Sequence, residues 1–137
     1  MPMPLVIGAL KRLELINEHP EYKAKLWEIT NALQKGLRDA GFNLGDTNSC
    51  VTPVYLSGEV AEATNIIHDL RENYGIFCSV VTYPVIPKGM IIIRVIPTAT
   101  HTLEDVKYTV DTFSKIVHKL KSGEYAKAGF AKVKVDL

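Results

Sequence analysis

One charged residue sits where the sequence is otherwise apolar. Arg94 falls inside Met90-Ile91-Ile92-Ile93-Arg94-Val95-Ile96. A guanidinium keeps its charge in a protein, and burying it without a partner is very costly. Three readings are open. Arg94 could form a structural ion pair, reach solvent from an edge strand, or offer its planar fork to a ligand carboxylate. Just upstream, Tyr83-Pro84-Val85-Ile86-Pro87-Lys88-Gly89 is too rich in proline for a helix or a sheet. Pro84 and Pro87 can simply fix a turn, with Gly89 free to take positive φ before the next strand. Functionally, such a loop could line an entrance and gate a long substrate, with Lys88 meeting an anionic group. A stiff exposed loop beside a ligand-sized charge is a common way to build a site. Downstream, the Thr102 hydroxyl can accept the N–H three residues on, and Asp105 stands where an acid favours a helix N-terminus. Thr102 therefore reads as a helix cap.

Other chemistry is hard to assemble. There is no Gly-x-Ser-x-Gly elbow, no phosphate-cradling glycine loop and no His-Glu-x-x-His. The histidines (His19, His68, His101, His118) do not cluster in sequence. Cys50 and Cys78 fit neither a disulfide framework nor a zinc spacing, and read as reduced, half-buried thiols. No metal site is expected. Sixteen basic against 15 acidic residues give no support to wholesale nucleic-acid binding. Lys115, Lys119, Lys121, Lys127, Lys132 and Lys134 make the C-terminal end basic. A solvated face explains that run, with contact to anionic lipid or a polyphosphate as the alternative.

The elements that must position Arg94 follow from periodicity. A chain of 137 residues, 47% hydrophobic, folds around one core or two small ones. Val6, Leu10, Leu13 and Ile16 predict a helix from Pro4 to about Glu18. Pro20 suits the first turn of a second helix with the stripe Tyr22, Leu26, Ile29, Leu33, Leu37, Ala40, stopped by Gly41. Val51–Ser57 reads as a strand in which Pro53 demands an edge or a bulge. A helix over Glu59–Tyr74, strands over Ile76–Thr82 and Met90–Ile96, and a helix from Thr102 to about Ser122 complete the order. In that last helix Val106, Val110, Phe113, Val117 and Leu120 form the stripe. The tail alternates over Ala131–Val135, as an edge strand or a mobile arm would. The sum is an α+β fold: a small, mainly antiparallel, three- to four-stranded sheet with helices packed on one face. No stretch approaches the apolar length of a membrane helix. The N-terminus lacks a signal peptide, so the cytoplasm is the expected address.

Taken together, Gly75-Ile76-Phe77, Tyr83-Pro84-Val85-Ile86-Pro87-Lys88-Gly89, Ile93-Arg94 and Thr98-Ala99-Thr100-His101-Thr102-Leu103-Glu104-Asp105 resemble the C-terminal part of the α-oxoamine synthases. Upstream, Leu26, Asn31, Leu37, Gly41-Phe42 and Thr52-Pro53-Val54 extend the resemblance over nearly the whole chain to about residue 120. That family comprises pyridoxal-phosphate acyltransferases of the class II aminotransferase group. Among them are glycine C-acetyltransferase, 8-amino-7-oxononanoate synthase, serine palmitoyltransferase and 5-aminolevulinate synthase. The resemblance implies the small C-terminal domain of a fold-type I transferase. It also implies a condensation in which an amino acid loses its α-proton and the carbanion attacks an acyl-CoA thioester. CoA and CO2 then leave. By position Arg94 corresponds to the arginine that binds the amino-acid carboxylate, and Tyr83–Gly89 to the loop near the acyl-CoA entrance.

The family's Schiff-base lysine belongs to a large domain upstream, and nothing in these residues matches the signature around it. The resemblance therefore implies a C-terminal piece of a longer, typically dimeric enzyme. Residues 1–18 would be a connecting helix, 19–121 the small domain and 122–137 a basic tail. This chain alone would be inactive, with no catalytic residue and no cofactor bound. Val85 stands where the aminolevulinate branch has a threonine, which argues against succinyl-CoA, although Pro97-Thr98 resembles that branch. The competing expectation is a free-standing carboxylate-binding regulatory module, or a protein-interaction module, without catalysis.

Overall fold

A computed structural model describes residues 2–127. The chain runs α1 (Met3–Glu18), α2 (Pro20–Asp39), β1 (Thr52–Ser57), α3 (Val60–Glu72), β2 (Ser79–Val81), β3 (Met90–Val95), α4 (Leu103–Lys121) and α5 (Glu124–Lys127). The three strands form one antiparallel sheet in the order β1-β3-β2. The fold is α+β, with β3 central and Pro53 on an edge strand, where its missing N–H is tolerated.

Period-two alternation gives the sheet two unlike faces. Ile91, Ile93 and Val95 point inward and are buried with Val54 of β1. The same core takes Leu33 and Leu37 from α2, Ala63, Ile66 and Leu70 from α3, and Phe113 and Ile116 from α4. Full burial of a side chain such as Phe113 contributes about 2–3 kcal/mol. The other face carries Met90, Ile92 and Arg94 on β3, and among the described residues it is left more open.

Helix ends follow their sequence signals. Gly41 takes φ 84°, which closes α2 as the Phe42 N–H reaches the Leu37 carbonyl. Thr102 caps α4: its hydroxyl accepts the Asp105 N–H at 3.2 Å, and its own N–H donates back to that carboxylate at 2.8 Å. The backbone and side-chain hydrogen bonds from Thr102 hold Asp105 below the usual carboxylate range.

One expected boundary needs correction, and one helix stands apart from the core. The second strand is only Ser79–Val81, because Ile76 gives its N–H to the Leu70 carbonyl, closing α3 instead of extending the sheet. The apolar stripe of α1 stays outside the core: no residue of that helix is buried, and Leu5, Leu10, Leu13 and Ile16 are about 60% exposed. The alternating segment Ala131–Val135 lies outside the described residues.

One buried network was not anticipated. The Asp69 carboxylate accepts from Lys119 Nζ at 2.8 Å, Tyr125 Oη at 2.5 Å and Asn73 Nδ2 at 2.6 Å. Asn65 Nδ2 donates to the Tyr125 carbonyl at 2.7 Å, so α5 is fixed to α3 at two points. Burial alone would raise the Asp69 pKa, but these donors outweigh it and hold the group below its ordinary 3.8.

Gly58, between β1 and α3, is fixed by space. A Cβ there would stand 2.8 Å from Ile91 Cδ1 and 2.9 Å from Glu62 Oε2. Glu62 also closes the capping box of α3. Gly58→Ala should therefore lower stability by roughly 1–3 kcal/mol, the usual cost of overpacking, measured as a shifted urea midpoint.

Candidate functional site

The open sheet face is the site candidate, built in rows by strand register. Pro53, Arg94 and Ser79 form one row across β1, β3 and β2, and Tyr55, Ile92 and Val81 the next. Arg94 is exposed, although it lies on the central strand. Of the alternatives the sequence left open, it reaches solvent, but from the central strand and not from an edge. The core lies on one side of the sheet, so the charge needs no buried counter-ion. Among the described residues Arg94 joins no ion pair; its Nε donates to Ser79 Oγ at 3.1 Å. A planar cation thus stands on an apolar platform, with its terminal amino groups available to an anionic ligand.

The loop Tyr83–Gly89 joins β2 to β3 at the far end of that hairpin. It starts with a cis Tyr83–Pro84 bond, and Gly89 takes φ 81°, a conformation only glycine adopts readily. The Gly58 N–H anchors the loop by donating to the Gly89 carbonyl at 3.0 Å. Lys88 Nζ lies 5.1 Å from the Tyr83 ring centroid. Tyr83, Val85 and Lys88 are exposed. Tyr83, Lys88, Met90 and Gly58 line a cleft of about 150 Å³. Arg94 is four residues along β3 from Met90, roughly 13 Å at strand rise. Loop and arginine therefore occupy two ends of one face.

Beyond the other end of β3, His101 Nδ1 accepts the Thr98 N–H at 2.9 Å. His101, Ile96, Phe77 and Tyr108 line a cleft of about 470 Å³ between α4 and the end of β3. Among the described residues no three metal-ligating side chains converge, and no helix is long and apolar enough to cross a membrane. Cys78 is buried, which pushes its thiol up to about 11 and leaves it a poor nucleophile at neutral pH.

Sequence reasoning missed Ser79, because its pairing with Arg94 appears only once strand register is known. It missed Asp69 too, where the one available signal was an acid one residue before Leu70 on the helix's inward face.

Known proteins agree with this architecture. The sequence model for class I and II aminotransferases matches residues 3–113. A curated relative, the cysteate-C-fatty acyltransferase of Capnocytophaga ochracea, is 56% identical over 125 residues, covering 91% of this chain and 30% of that protein. The 8-amino-7-oxononanoate synthase of Exiguobacterium sibiricum is 31% identical over 119 residues, covering 86% of this chain and 30% of its own. Serine palmitoyltransferase of Sphingomonas wittichii superposes with a TM-score of 0.64 at 27% identity, over 74% of this chain and 25% of that one. The fold also matches 8-amino-7-oxononanoate synthase of Francisella tularensis, with a TM-score of 0.69 at 18% identity over 82% and 32%. The chain thus spans about 30% of the length of the curated relatives it matches. It belongs to the class I and II aminotransferase family, in the α-oxoamine synthase branch.

Proposed function

We propose that these residues form the amino-acid-carboxylate side of a pyridoxal-phosphate-dependent acyltransferase, one that joins a fatty acyl group from acyl-CoA to the α-carbon of an amino acid. The observation that carries this is Arg94: exposed, without an ion pair among the described residues, and set in an apolar sheet face. The 56%-identical relative named for cysteate and a fatty acyl group favours that pair of substrates. Residues 3–18, whose apolar stripe is unburied, suit a helix that packs against a larger part of the same enzyme. Residues 19–121 would be the small domain, and the cytoplasm remains the proposed address.

The cofactor fits elsewhere. Pyridoxal phosphate supplies the electron sink for α-carbanion chemistry and needs a lysine amine to hold it. None of the three strands contains a lysine, and Lys88 is on the loop beside Tyr83. The open face therefore does not suit the cofactor. What Arg94 does is bind and orient. Two parallel N–H···O bonds to the substrate carboxylate fix the direction of the bonds at Cα.

In the reading frame that contains it, the protein should release CoA thiol from a long-chain acyl-CoA only when cysteate is present. Release with another amino acid and not with cysteate would overturn the substrate assignment, and release with none would overturn the reaction. The 137-residue chain mixed with pyridoxal phosphate should show no imine absorbance. A borohydride-reducible adduct on one specific lysine would refute the division of labour.

A further inference from the structure

Resting on that reading of Arg94, we infer that Ser79 is a positioning residue that sets the angle at which the guanidinium meets the amino-acid carboxylate. Ser79 is the direct cross-strand neighbour of Arg94, and its Oγ accepts the Arg94 Nε–H at 3.1 Å. On the other flank the neighbour in the same row is Pro53, whose side chain has no polar atom. The acceptor is thus on one side only, and the guanidinium is drawn toward β2. Because the bond uses Nε, both terminal amino groups stay available, and the fork is presented end-on. An arginine on an open sheet face otherwise samples many rotamers, and each freedom lost on binding weakens the ligand. The hydroxyl takes up part of that ordering before the substrate arrives.

Comparing Ser79→Thr with Ser79→Val isolates the hydroxyl. Both replacements are branched and favoured in strands, so the two variants should fold alike and differ only in the acceptor. In the complete enzyme Ser79→Val should raise KM for the amino acid roughly tenfold, the size expected for one hydrogen bond from a charged donor. It should leave KM for the acyl-CoA unchanged, and Ser79→Thr should keep the native value. In the 137-residue chain, the Arg94 Nε–H proton should exchange with water faster in Ser79→Val than in Ser79→Thr, by NMR. Equal KM values for the two variants would overturn the inference, as would equal rises for both substrates. Arg94→Ala separates the layers: if it leaves KM for the amino acid unchanged, the reading of the site itself has failed. If it raises KM while the Ser79 variants match wild type, only the positioning role has failed.

Discussion

Arg94→Ala, made in the complete enzyme, should lower kcat/KM for the amino acid by roughly 10²- to 10³-fold. A charged, bidentate contact that loses one partner costs about 3–4 kcal/mol, because the carboxylate is then held without its counter-ion. Arg94→Lys should recover only part of this, since an ammonium cannot offer two parallel donors. The thermal midpoint should hardly move, because the side chain is exposed and its hydrogen bond to Ser79 lies at the surface. Steady-state kinetics beside a melting curve tests both halves. A large fall in stability, or an unchanged kcat/KM, would show that Arg94 serves the fold and not the ligand.

Asp69→Ala should do the reverse, lowering stability by about 3–5 kcal/mol. It removes the acceptor shared by Lys119, Tyr125 and Asn73, and the Tyr125 side chain is almost fully buried. The pH dependence has a definite sign. Asp69 titrates below its ordinary 3.8 in the fold, so its contribution is complete above the unfolded value and lost as pH falls through the folded one. Asp69→Asn should therefore be less stable at neutral pH and show a flatter loss of stability on acidification. Urea titrations between neutral and acid pH would check this. Parallel acid limbs for the two proteins would place the linkage elsewhere.

Arg94 is visible in the sequence, whereas the partners of Asp69 are not. Helices α2, α3 and α4 were legible because each has a periodic apolar face and a recognisable start or stop, such as Pro20, Gly41 and Thr102. The antiparallel hairpin around Tyr83–Gly89 was legible because the connection is short. Arg94 stands out for its apolar neighbours, which leave a buried ion pair and a solvent-reaching charge equally open. The sequence of β3 cannot show that one of its faces is left open. The stripe of α1 was real but unburied, since periodicity reports which face is apolar and not what lies against it. Ser79 and the Asp69 network depend on register and tertiary contact, so single-chain periodicity is silent about them. Residues 124–127 carry no such signal, since a lone Tyr125 beyond a glycine stop shows no period at all.

The alternation of β3 also divides the strand into two independent sets of positions. Ile91, Ile93 and Val95 are constrained by the volume of the core, so changes there trade against folding. Met90, Ile92 and Ile96 flank Arg94 without belonging to that interior. On the proposed reading of Arg94, a library restricted to every second residue should change amino-acid preference while the scaffold keeps its stability. The strand is thus a natural place to separate the two: one side fixed by the core, the other carrying the proposed ligand contact.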